Sequence, residues 1–196
     1  APALREKEYG IWQAVSWASV AALVRQLACG LAARGVGRND HVVVVGENRP
    51  RLYASMLAIQ SLGAVPVPLY QDAAVTEYAF PVNNAEVRCA IVEDQEQVDK
   101  MLELRDACPQ LDRIWFDDPR GLRNYGDAGL ESMDALIEAG AAFDRQNPAF
   151  FDAEVAKASP DDVAAMFFTS GTTGNPKGVV HTHLTPLDLA ASCCKF

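Results

Sequence analysis

Residues 163–183 read VAAMFFTSGTTGNPKGVVHTH, and the rest of the chain is organised around this stretch. Its first six residues, 163–168, form an apolar run with the length and bulk of a buried strand. The next ten residues, 169–178, are mostly hydroxyl side chains and glycines, with one proline and one lysine. A short apolar run then resumes at Val179 and Val180. The pattern predicts a polar, glycine-rich loop between two apolar segments.

This loop has the chemistry that phosphate oxygens require from a protein. Short hydroxyl donors occupy four positions, and three glycines lack a Cβ, so the backbone can reach positive φ and approach a ligand closely. Lys177 supplies a point charge. The hydroxyls are those of Thr169, Ser170, Thr172 and Thr173, and the glycines are Gly171, Gly174 and Gly178. We therefore interpret the loop as a phosphate cradle.

The residues of this loop allow two other interpretations. A polar hairpin turn without a ligand accounts for the Gly, Asn, Pro and Thr residues, but the coincidence of hydroxyls, glycines and a lysine favours phosphate. A Walker A loop needs Gly-Lys followed by Ser or Thr and then a helix. Lys177 instead stands between Pro176 and Gly178 and leads into valines, so the Walker interpretation fails.

Composition indicates a globular protein that does not bind nucleic acid. The 196 residues carry a net charge of −9, which also argues against a polybasic membrane patch. No apolar run is long enough to span a bilayer. The five cysteines lack metal-ligand spacing and are odd in number, which favours reduced thiols in a cytoplasmic protein.

Apolar periodicity predicts an α/β fold with a mainly parallel sheet flanked by helices. A continuous β-branched run at 41–46 is typical of a strand covered on both faces. The remaining predicted strands are 64–70 at a sheet edge, 88–92 and 113–116. The predicted helices are 18–34, 50–62, 76–84 and 93–106. Pro81 is predicted to shorten the third of these helices. Residues 9–17 predict a short hairpin or edge strand, with Trp12 and Trp17 as packing residues. Residues 117–160 are interpreted as a surface excursion with one helix, 133–143, capped by Ser132.

Residues 169–178 resemble the AMP-binding signature of the adenylate-forming superfamily, which includes acyl-CoA synthetases, luciferase-like enzymes and peptide-synthetase adenylation domains. The resemblance covers nearly the whole chain. Segments 47–50, 63–70 and 92–100 are similar to long-chain acyl-CoA synthetases. The resemblance implies ATP-dependent activation of a carboxylic acid, here a fatty acid, to an acyl-adenylate, followed by transfer to the thiol of CoA.

The resemblance also assigns residue roles. Residues 169–177 would hold the β- and γ-phosphates, and Thr169 would help to hold Mg²⁺. Lys177 and His183 are the candidate catalytic residues, since His183 matches a Thr-His pair that borders the family's active site. A helix-end residue without a catalytic role is the alternative for His183.

The family's later motifs have no counterpart before Phe196, namely the aromatic-Gly-x-Thr-Glu segment, the ribose-binding Asp, the downstream Arg and the C-terminal Lys. We therefore expect residues 1–196 to be the N-terminal portion of the large domain, without the C-terminal domain and inactive alone. An aryl-CoA ligase, a peptide-synthetase adenylation domain and a non-catalytic nucleotide-binding or interaction remnant are the alternatives.

The end of the chain predicts an apolar helix that starts at Thr185 and Pro186. Its apolar residues cover much of the circumference, including Leu187, Leu189 and Phe196. We expect this helix to expose an apolar patch that drives self-association.

Overall fold

The structure, a computed structural model, describes residues 1–169 and 176–193. Strands and helices alternate strictly from His41 to Phe116. They are β1 Pro2–Glu8, β2 Ile11–Ser16, α1 Trp17–Ala33, β3 His41–Val45, α2 Pro50–Ser61, β4 Val65–Pro68, α3 Val75–Asn84, β5 Cys89–Val92, α4 Gln95–Leu104, β6 Arg113–Phe116, β7 Leu130–Ser132, α5 Met133–Gln146, α6 Phe150–Val155, β8 Val163–Thr169, β9 Lys177–Thr182 and α7 Leu184–Cys193.

A five-stranded parallel sheet in the order β4-β3-β5-β6-β7 forms the centre of the fold. The valines of β3 divide between two cores because successive side chains of a strand point to opposite faces. Val42 and Val44 pack on the side of α1 and α2, whereas Val43 and Val45 pack on the side of α3 and α4. The α/β prediction is therefore confirmed.

The helices largely follow the predicted apolar stripes. Pro50 occupies the first turn of α2, where its missing N–H breaks no helical hydrogen bond. The four-residue strand β4 tolerates Pro66 and Pro68 at one edge of the five-stranded sheet. The shortening considered for Pro81 does not occur, since α3 continues through it to Asn84.

The interpretation of residues 117–160 as a surface excursion is wrong for their central part. β7 pairs with β6 and extends the sheet, and Met133 and Leu136 of α5 are buried in the core beside α1. Glu131 of β7 accepts hydrogen bonds from Arg34 and from Trp115 Nε1 at 3.0 Å. Burial opposes ionisation of this carboxyl group, but these donors outweigh it and hold its pKa below the usual value. The cap predicted at Ser132 is present, with its Oγ accepting from the Ala135 N–H at 3.2 Å.

The N-terminal hairpin is formed by β1 and β2, which pair antiparallel around the turn at Tyr9 and Gly10. Both turn residues have positive φ, 47° and 80°. Sequence reasoning placed Trp12 and Trp17 as packing residues, and this is wrong, because their exposed fractions are 67% and 65%. Trp12 lies on β2 and Trp17 is the first residue of α1, and no described element covers either indole enough to bury it.

Candidate active site

The candidate phosphate loop joins β8 and β9, which form an antiparallel two-stranded sheet. In the register of this pair, Thr169 lies directly opposite Lys177, and Phe168 lies opposite Gly178. Both Thr169 and Lys177 are exposed. The hairpin therefore places one hydroxyl and one ammonium group side by side where the two strands open into the loop.

The structure describes only part of the predicted cradle. Ser170, Gly171, Thr172, Thr173 and Gly174 lie outside the described residues, and they stay predictions. Gly178 is described and lies in β9.

The sequence analysis explains Gly178 by a backbone that reaches positive φ, and Gly178 does not have this conformation in the structure. Its φ is outside the left-handed region, and an added Cβ would meet its nearest atoms, on Met166 and Phe168, at an ordinary 3.5 Å. The strand alone therefore does not require glycine here.

His183 lies at the far end of β9 from Lys177. His183 is six positions after Lys177 along the extended chain, or about 20 Å away at a rise of about 3.3 Å per residue. His183 instead borders an apolar groove of about 650 Å³ whose walls include Trp17, Leu57 and Leu187. Its backbone N–H donates to the carbonyl oxygen of Asp162 at 3.1 Å. Lys177 and His183 therefore do not form one cluster in this structure.

Polar contacts fix the base of the hairpin to the parallel sheet. Asp162, just before β8, accepts from Arg38 Nη1 and from the Ser159 N–H, each at 3.0 Å. The Ser159 N–H and the Arg38 guanidinium hold the pKa of Asp162 below its usual value. Gln60 Nε2 donates to the carbonyl oxygen of Ala164 at 2.7 Å. The sequence did not predict the contacts of Arg38 with Asp162 and of Gln60 with Ala164, because no local pattern pairs residues more than a hundred positions apart.

Ion-paired side chains line the crevice where parallel sheets of this strand order usually bind ligands. That crevice lies outside the carboxyl ends of the two strands at which the order reverses, here β3 and β5. Arg49 lies there and forms ion pairs of 3.1 Å with each of Glu6, Glu47 and Glu93, so its charge is already neutralised. The Glu47 N–H also donates to Glu93 Oε2 at 2.5 Å. The exposed hairpin is therefore the better candidate for phosphate.

No protein cage for a metal ion occurs within residues 1–169 and 176–193, since they hold no group of three or more His, Cys, Asp or Glu side chains placed to bind one. Mg²⁺ is usually held through substrate phosphates and waters with few protein ligands. A single hydroxyl such as that of Thr169 fits that mode of binding. In the same described ranges, every helix is too short or too polar to cross a membrane.

Comparison with known proteins identifies the family. The AMP-binding enzyme family matches residues 1–196, which is the whole chain. The chain belongs to the AMP-binding enzyme family. The signature at 169–178 therefore occurs in a chain that is related to this family throughout its length.

Two relatives and one solved structure illustrate the similarity of this AMP-binding chain. The long-chain-fatty-acid–CoA ligase FadD15 of Mycobacterium bovis is 31% identical over 169 residues, covering 86% of this chain and 26% of the relative. The 4-coumarate–CoA ligase 4 of Arabidopsis thaliana is 30% identical, covering 86% of this chain and 28% of the relative. The luciferase-like enzyme of Zophobas morio shares the fold, with a TM-score of 0.74 and 21% identity over 93% of this chain and 39% of that structure. The chain thus spans about a quarter of the length of these curated relatives.

Proposed function

We propose that this AMP-binding chain supplies the phosphate-binding hairpin of an ATP-dependent carboxylic acid–CoA ligase. The observation that carries the proposal is the pairing of Thr169 with Lys177 at the open end of β8 and β9. Membership of the AMP-binding family and the match to two CoA ligases at 30% identity or more support it.

The proposed reaction joins the acid to AMP with release of pyrophosphate, and then moves the acyl group to the CoA thiol with release of AMP. Lys177 would pair with the β- and γ-phosphate oxygens and stabilise the charge that leaves as pyrophosphate. The Thr169 hydroxyl would donate to a phosphate oxygen and help to hold Mg²⁺. Ser170, Gly171, Thr172, Thr173 and Gly174 would complete the cradle. We assign no step to His183, because it lies at the far end of β9 from Lys177.

The acid that we propose is a fatty acid, which the FadD15 name and the segments 47–50, 63–70 and 92–100 support. An aromatic acid is the second candidate, and the 30% identity to 4-coumarate–CoA ligase 4 favours it. We further propose a cytoplasmic location, supported by the buried free thiols of Cys29, Cys89 and Cys108.

Exchange of pyrophosphate into ATP tests this function. The protein extended to the length of its relatives should catalyse exchange with long-chain fatty acids, and the 196-residue chain should give no exchange above a no-protein control. The reason is that the chain spans only about a quarter of the relatives, so most groups that would surround the reacting carboxylate lie elsewhere. Exchange with aromatic acids and not with fatty acids would show that the substrate is an aromatic acid. Absence of exchange by the extended protein with every acid would leave the non-catalytic alternative.

We also propose that the exposed apolar surface of β9 and α7 drives self-association. α7 has no buried residue, and the exposed fractions of Leu187 and Leu189 are 63% and 65%. Val179 and Val180 of β9 are also exposed. Phe196, which the sequence predicts to be part of this apolar surface, lies outside the described residues.

Light scattering with concentration tests the association. The wild-type chain should form oligomers as its concentration rises, because association removes the leucines from water. Leu187→Glu with Leu189→Glu should keep it monomeric, while Ile11→Glu, at a residue of β2 with an exposed fraction of 64%, serves as a matched control. A wild-type chain that stays monomeric at high concentration would contradict the proposal.

A further inference from the structure

The hairpin of β8 and β9 is tied to the central sheet at the end opposite its loop. Asp162 precedes β8, and its backbone carbonyl oxygen accepts at 3.1 Å from the N–H of His183, which follows β9. One residue therefore contacts the outer ends of both strands. The Asp162 side chain reaches away from the hairpin, where its Oδ2 accepts from Arg38 Nη1 at 3.0 Å. Arg38 belongs to the segment that leads into β3, so this bond joins the hairpin to the parallel sheet.

The Arg38 guanidinium has a defined place because Gly63 leaves room for it. Gly63 follows α2 with a φ of 66°, and a Cβ added there would be 2.5 Å from Arg38 Cζ. The Gly63 carbonyl oxygen also accepts from the N–H of Asn39, the next residue after Arg38, at 2.9 Å. The exposed fractions of the Arg38 and Asp162 side chains are both 32%. The arginine thus lies against the end of α2 while it holds the base of the hairpin.

A second contact supports the hairpin one residue from its loop. Phe168 precedes Thr169, and its ring meets that of Phe80 on α3 edge to face, with the ring centroids 6.5 Å apart. Met166 and Phe168 pack against the core on the side of α3 and α4. Phe167, on the other face of β8, is 40% exposed. Within the described residues, the hairpin is therefore supported at its base and on one face.

These few contacts decide the direction of the hairpin. A two-stranded sheet is marginally stable without support from other elements. Seven strand residues separate Asp162 from Thr169, so a rotation of about 3° at the base would move Thr169 by about 1 Å over about 23 Å. A catalytic group displaced by about 1 Å can lower a reaction rate by about 100-fold. The base of the hairpin therefore has leverage on the groups at its tip.

We propose that Arg38, Asp162 and Phe80 are positioning residues of the phosphate hairpin. The ion pair fixes the base, and the Phe80 ring fixes the strand beside the loop. These residues act through the hairpin and not by contact with phosphate. Together they set the place of Thr169 and Lys177. Their effect on the reaction, though not their effect on the hairpin itself, rests on the proposed function.

Amide hydrogen exchange of the 196-residue chain tests the base anchor without any reaction. Asp162→Asn and Arg38→Met should each speed exchange in β8 and β9 about tenfold and leave β3 unchanged, because only the hairpin is released. Arg38→Lys keeps a charged donor and should retain most of the protection. Arg88→Met is the matched control, since it removes another arginine–aspartate pair, at 3.5 Å to Asp112, and should leave the hairpin unchanged.

The same measurement tests the anchor beside the loop. Phe80→Leu should speed exchange in the half of the hairpin nearest Thr169 and Lys177, because the edge-to-face contact with Phe168 is lost. Phe143→Leu is the control, since it breaks a similar ring pair with Phe150, with centroids 5.0 Å apart, between α5 and α6. It should leave the hairpin unchanged.

Pyrophosphate exchange by the protein extended to the length of its relatives tests the effect on the reaction. Asp162→Asn should lower kcat about tenfold and change KM for ATP by less than about threefold, because a misplaced Lys177 still meets ATP but stabilises the transition state poorly. In a Lys177→Ala background, Asp162→Asn should lower kcat by less than about twofold, since no lysine remains to be placed. Distant residues with independent roles would instead give losses that multiply.

The outcomes separate this proposal from the proposed function. Unchanged hydrogen exchange in both Asp162→Asn and Arg38→Met would overturn the proposal, and so would losses that multiply in the double variant with Lys177→Ala. Release that spreads to β3 would also overturn it, because the ion pair would then stabilise the whole fold. Release confined to the hairpin, with no pyrophosphate exchange by the extended wild type, would support the anchors and reject the proposed function alone.

Discussion

Replacing Lys177 with alanine is expected to lower kcat/KM for ATP in the adenylation step of the extended ligase by about 5- to 150-fold. This range corresponds to about 1–3 kcal/mol for the loss of a charge-assisted contact to phosphate. The fold should be unaffected, because the Lys177 side chain is exposed and only its backbone pairs with Thr169. Steady-state pyrophosphate exchange at varied ATP concentration measures the effect.

Lys157→Ala is the matched control for this experiment. Lys157 is also an exposed lysine, but it follows α6 and pairs with Glu154 away from the hairpin. Its removal should leave kcat/KM for ATP unchanged. Equal values for Lys177→Ala and the wild type would show that this lysine does not touch the phosphates.

Replacing Gly140 with alanine is expected to lower the free energy of unfolding by about 3 kcal/mol, a large share of the stability of a domain of this size. Gly140 of α5 lies against α1, where an added Cβ would be 1.8 Å from the carbonyl oxygen of Gln26 and 2.7 Å from the backbone nitrogen of Gly30. Backbone atoms cannot rotate aside as a side chain can, so the two helices would have to separate. The better helix propensity of alanine recovers only about 1 kcal/mol.

Urea denaturation of the chain measures this loss, with Gly37→Ala as the control. A Cβ at Gly37 meets no atom within 4 Å, and its φ is outside the left-handed region, so its substitution should change the free energy of unfolding by less than about 0.5 kcal/mol. Gly30→Ala should resemble Gly140→Ala, because its Cβ would approach the Leu136 carbonyl oxygen to 2.3 Å. A Gly140→Ala variant as stable as the control would show that the helices are not in backbone contact.

The local sequence pattern was sufficient to predict the elements whose buried residues recur at a regular spacing. The run at β3, the apolar stripe of α1 and the cap at Ser132 each carry their information within a few residues, and each is present in the structure. The same reasoning failed for β7, which has three residues and no apolar alternation of its own. A strand this short is defined by its pairing with β6, which sequence periodicity does not encode.

For the candidate site, the sequence by itself determined which residue types surround the phosphate loop and which family the signature resembles. Only the tertiary structure decided that Thr169 faces Lys177 across a ladder, and that His183 lies at the other end of the same strand. It also decided that Trp12 faces a groove instead of a core. The physical reason is that residue chemistry is a local property, whereas distance and exposure depend on which distant segments pack against each residue.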